Sequence, residues 1–119
     1  MSYDISLLDP VTKKTIQLDS PHQIKGGTYA FGGTQEAWLN ITYNYSTFFY
    51  KYIDEEKGIR FIYGKTGSEA IPILKEAISK MGDDVDEDYW KPTEGNTKRA
   101  LHGLIALATL RPDGIFEGD

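Results

Sequence analysis

Asn40, Thr42 and Asn44 recur at every second position of the stretch EAWLNITYNYSTFFYKY, residues 36–52. In a strand this period puts amide, hydroxyl and amide on one face and Leu39, Ile41 and Tyr43 on the other. Uncharged groups that both donate and accept suit sugar hydroxyls, base edges or peptide amides, so the ladder is a candidate ligand-binding surface. The same pattern describes the wet face of an antiparallel sheet, although asparagine is a poor strand former. Tyr89, Trp90, Asn96 and Arg99, where the chain enters its last predicted helix, are the candidate walls of such a pocket. Trp90 would serve equally as a core plug.

A second constellation is the acidic run Asp83, Asp84, Asp86, Glu87 and Asp88. It lacks the glycine at position 6 and the glutamate at position 12 of a calcium-binding EF-hand loop, so no metal site is assigned. The run reads either as a solvated helix-to-helix connection or as a partner-binding surface that mimics nucleic-acid phosphates in a basic groove. Catalytic residues stay unassigned. His22 and His102 have no partner at metal-ligand or catalytic spacing, and no nucleophile-base pair or Gly-rich phosphate motif is present. Were the protein a small enzyme acting on a nucleotide or glycosidic substrate, Glu36, Glu94 or His102 would be its acid or base.

The elements that must position these groups follow from local pattern. Tyr3, Ile5 and Leu7 alternate with polar neighbours in a strand over residues 2–8, and residues 11–14 read as a hairpin turn with a return strand over 15–18. Glycine pairs at 26–27 and 32–33 bracket a short expected strand, and residues 59–63 suggest another. In the central stretch the period changes after a strand over 38–45. Tyr45, Phe48, Phe49, Tyr52 and Ile53 then share one helical face, leaving Tyr50 exposed. Residues 66–69 have capping-box spacing, but Pro72 favours Ser68 as the cap of a helix running to about Met81. That helix should bury Ile71, Leu74, Ile78 and Met81, with Ala70 and Ala77 beside them. Thr93 caps a last helix to about Leu110 with Ala100, Leu101, Leu104, Ile105 and Ala108 as its core stripe. Residues 115–119 either tuck in or fray. The expectation is one α+β domain over 1–119, an N-terminal antiparallel meander covered by about three helices.

At 119 residues, 39% hydrophobic and 26% charged, the chain can bury one core and shows no sign of disorder. A net charge of −5 argues against direct binding to nucleic acid. No apolar run approaches a membrane span, and the opening residues lack a signal-peptide pattern, so a cytoplasmic location is expected. The absence of cysteine excludes disulfides and thiol chemistry. No cofactor is implied. A symmetric homodimer is the commonest assembly for a small domain with surface aromatics.

The phrases GGTYAFGGT, EAWLNITYNYS, YGKTG, DYWKPTEGN and RPDG make nearly the whole chain resemble a group of short, uncharacterised proteins encoded in phages, prophages and some bacterial genomes. The resemblance implies a context, an accessory factor of the anti-defence kind that binds a host component, and assigns no residue. The leading expectation is a non-enzymatic binding protein whose partner is a small polar ligand or a host protein. The enzyme and the acidic mimic stand as alternatives.

Overall fold

In the computed structural model, residues 2–24, 26–27 and 32–119 are described. The strand expected at 26–33 turns on residues 28–31, which lie outside the described residues. Strand β1 (Ser2–Leu8) buries Tyr3, Ile5 and Leu7, as its alternation requires. It pairs antiparallel with β4 (Trp38–Thr42) on one edge and with β5 (Ile115–Gly118) on the other. The tail is therefore a full strand, and Phe116 is completely buried.

With both edges of β1 filled, the expected hairpin cannot propagate. Asp9 Oδ1 accepts the amides of Val11 and Thr12, and Lys13 takes a positive φ to close the turn. The return strand meets β1 only through the Leu8–Thr15 bridge and the Ile16 amide on the Leu7 carbonyl. The chain then departs as β2 (Gln17–His22) to pair with β3 (Thr34–Glu36) in a second antiparallel sheet. That pairing is irregular, and the Gln35 carboxamide donates to the Leu18 carbonyl at 3.2 Å.

The central strand ends earlier than its alternation suggests. Tyr43–Tyr45 form a 3₁₀ turn capped by the Thr42 hydroxyl, which accepts the Asn44 amide, and α1 (Ser46–Tyr52) follows. The strand expected at 59–63 is also a 3₁₀ helix, Gly58–Ile62. Its three-residue period puts Ile59 and Ile62 on one buried face.

Helix α2 (Gly67–Lys80) starts from a Thr66–Glu69 capping box, not from Ser68. Pro72 thus sits in the second turn, on an exposed position. The first-turn amides of Gly67 and Ser68 are satisfied by the carbonyls of Gly114 and Pro112. The helix buries Ala70, Leu74 and Ala77 fully, while Ile71 and Ile78 lie at the margin. Helix α3 (Glu94–Leu110) is capped by Thr93 as expected and buries Ala100, Leu101, Leu104, Leu107 and Ala108. Gly103 lets it approach β4, since a Cβ there would lie 2.9 Å from Leu39 Cδ2. Among the described residues, two antiparallel sheets and three α-helices make a mixed α+β fold around one hydrophobic cluster. Among the described residues, no helix is long and apolar enough to cross a membrane.

Candidate functional site

Two members of the polar ladder do not face solvent, while Asn44 is exposed. Asn40 is 4% exposed and Thr42 1%. The Asn40 amide donates to Ser2 Oγ at 2.7 Å and to Asp4 Oδ1 at 2.9 Å, both on the neighbouring strand. Gly27 packs so tightly against Asn40 Oδ1 that an added Cβ would lie 2.9 Å away, and the Trp90 ring covers the same glycine. Asn44 leaves the strand period inside the 3₁₀ turn, where its side-chain Nδ2 donates to the Trp90 carbonyl at 2.8 Å. The expectation of an outward-facing binding ladder is corrected for Asn40 and Thr42 by burial, and Asn44, though exposed, has left the strand face.

The groups instead latch a loop. Among the described residues, the outer edge of β4 meets no further strand, and its polar groups are met by side chain and loop. Tyr89 Oη accepts the Thr42 amide at 3.0 Å, and the Asn40 carbonyl accepts the Gly27 amide at 3.1 Å. The Tyr45 hydroxyl donates to the Tyr89 carbonyl. Burial, reinforced by Tyr89 and Asp88, raises Tyr45 above the ordinary phenol range, so it remains a neutral donor. From the other side, Asn96 Oδ1 accepts the Asp86 amide at 3.0 Å. Its Nδ2 donates to the carbonyls of Asp88 and Lys91 at 3.0 and 3.2 Å. The loop over residues 86–91 is thus held from the strand and from the first turn of α3 together.

Between this loop and α3 lies a cleft of about 170 Å³, walled by Tyr45, Asp86, Glu87, Tyr89, Asn96 and Arg99, with Ala100 beside them. It unites three residues expected at the pocket, Tyr89, Asn96 and Arg99, with two from the acidic run. Tyr45 was expected only in the core stripe. The signal for its second role was its place at the junction of strand and helix, where its ring can be buried while its hydroxyl reaches the loop. Trp90 is 48% exposed, packs edge-on to Tyr89, and is neither a core plug nor a wall of this cleft.

The charges in the cleft divide into used and unused. Asp86 accepts the Asp88 amide and pairs with Lys91 at 3.5 Å. Outside the cleft, Asp83 pairs with Lys98, the Asp84 carbonyl accepts the Gly95 amide, and Asp88 accepts the Trp90 amide. Much of the acidic run therefore organises its own loop. Among the described residues, neither Arg99 nor Glu87 has a side-chain hydrogen bond or ion pair.

A larger groove of about 410 Å³ runs along β2 to Leu110 and Arg111. Its titratable groups include two that are already engaged. His22 Nδ1 accepts the Ile24 amide and Nε2 donates to the Glu36 carbonyl, which defines one neutral tautomer. Arg111 forms a bidentate pair with Asp113 and lies 3.8 Å from Asp9.

The acid-base candidates are dispersed. Glu94 Oε1 accepts the Gly82 amide and Oε2 the Tyr52 hydroxyl, each at 2.7 Å. These bonds hold its carboxyl below the usual carboxylate range, the reverse of what a general acid needs. Glu36 lies exposed on β3 and His102 exposed on α3, and neither cleft has any of the three in its walls. Among the described residues, no three His, Asp or Glu side chains converge as metal ligands. No family model, no curated protein and no solved structure matches this chain.

Proposed function

We propose that the protein is a non-enzymatic binding protein, and that the cleft between the 86–91 loop and α3 holds a small polar ligand. The observation that carries this reading is Arg99. Among the described residues it is the one cation in the walls of a preorganised cleft, and it forms no hydrogen bond or ion pair there. A guanidinium with all five donors available, set beside two tyrosine rings, suits a planar anionic group on a small molecule. The loop is fixed before binding by Asn96, Tyr45 and Asn44, so little ordering cost falls on the ligand. The context we attach is the one implied by the resemblance to phage-encoded proteins, a cytoplasmic accessory factor.

Calorimetric titration against small carboxylates, inorganic phosphate, nucleosides and sugars tests the proposal. At least one compound should bind and perturb the amide resonances of residues 86–100, with Arg99→Gln weakening it about tenfold or more. Absence of binding across the set, or binding unaltered by Arg99→Gln, would remove the cleft as the site.

A further inference from the structure

We infer that the ligand of this cleft is a small zwitterion, carrying a primary ammonium and a carboxylate a few bonds apart, in the manner of a free amino acid. This rests on the binding reading above and adds the second charge. Glu87 and Arg99 line the same cleft, carry opposite charge, and form no ion pair with each other. Both lie exposed to solvent, and among the described residues neither is neutralised by a hydrogen bond or ion pair. Asp86, the third charged wall, is already matched by Lys91. The charge remaining to be complemented is therefore one cation and one anion, with a sum of zero.

That balance discriminates among ligand classes. A phosphate dianion would satisfy Arg99 but would meet Glu87 and a protein of net charge −5. A simple amine would satisfy Glu87 and be repelled by Arg99. A zwitterion places its carboxylate on the guanidinium fork and its ammonium on the Glu87 carboxylate, so both charges of the ligand find a partner. The tyrosine walls suit this chemistry, since an ammonium is also drawn to an aromatic face and the short hydrocarbon link packs against the ring. The volume of about 170 Å³ lies below the range of sites for drug-sized molecules and matches a ligand of few heavy atoms.

The test is an NMR titration of the ¹⁵N-labelled full chain with alanine, β-alanine and 4-aminobutyrate, alongside propionate and propylamine as single-charge probes. At least one zwitterion should shift the amides of residues 86–100 and bind about tenfold or more tightly than either single-charge probe. Glu87→Gln should abolish the advantage over propionate, and Arg99→Gln the advantage over propylamine. Among the described residues both side chains are exposed and without a hydrogen bond or ion pair, so the variants should melt with the parent, and a melt of each confirms that the comparison is between folded proteins. Propionate binding as well as the zwitterions would overturn the inference while leaving Arg99 as an anion site. Propylamine binding as well as the zwitterions would also overturn it. Failure of all five probes would overturn the zwitterion, and the broader titration above then decides the cleft itself.

Discussion

Asn96 Oδ1 accepts the Asp86 backbone amide at 3.0 Å, and through that contact the first turn of α3 determines the position of the loop that faces it. Asn96 is 4% exposed, so its carboxamide is committed to the loop and not to solvent. Replacing it with leucine keeps the volume but strands the Asp86 amide and removes one of the two donors at each of the Asp88 and Lys91 carbonyls, which keep the amides of Lys91 and Thr93. Asn96→Leu should lower the unfolding free energy by about 2 to 4 kcal/mol and accelerate amide exchange in residues 86–91. Denaturant unfolding with hydrogen exchange reads both. Parental stability with an unaltered exchange pattern would mean that the loop holds itself.

The same turn includes Gly95, whose amide donates to the Asp84 carbonyl at 3.1 Å. An added Cβ would lie 2.7 Å from that carbonyl oxygen and 2.6 Å from Val85 Cγ1. Alanine is the better helix former by about 1 kcal/mol, but here backbone must move to admit it. Gly95→Ala should therefore destabilise by about 1 to 3 kcal/mol. A gain in melting temperature would show that residues 84–85 can retreat freely.

Glu94 links acid stability to structure. Its carboxyl is lowered first by the Gly82 amide and then by the Tyr52 hydroxyl. A depressed folded value means that the contribution is present above the unfolded value of 4.5 and is lost as pH falls through the folded value. The melting temperature should therefore drop in the acid range below 4.5, and Glu94→Gln should make that limb shallower while lowering stability near neutrality. Identical pH profiles for parent and variant would assign the acid limb to other carboxylates.

Phe116 measures how far the chain depends on its last strand. It is fully buried, and β5 closes the second edge of β1 through pairs from Ile5–Gly118 to Leu8–Ile115. Phe116→Ala should cost about 3 to 5 kcal/mol, as for other large core aromatics. Urea unfolding provides the number, and a loss below about 1 kcal/mol would mean that β5 is only loosely docked.

The sequence by itself determined what short-range physics can determine. The alternation of Tyr3, Ile5 and Leu7 implied β1, and the stripe from Ala100 to Ala108 behind a Thr93 cap implied α3. The spacing of Thr66 and Glu69 carried a true capping box, although the rigidity of Pro72 pointed to Ser68 instead. The short tail strand and the 3₁₀ helix at Gly58–Ile62 were not legible, because four or five residues support several local conformations until a distant partner selects one.

The same distinction applies to the candidate site. Tyr89, Asn96 and Arg99 were legible as a group because they flank one helix entrance, and the cleft does unite them. Whether the Asn40, Thr42 and Asn44 groups look outward could be decided only by the tertiary structure. Residue period orients a side chain relative to its own strand and says nothing about what lies beyond it. Tyr89 reaches the Thr42 amide from 47 residues away, and long-range contacts of this kind turn an expected binding face into the anchor of the 86–91 loop.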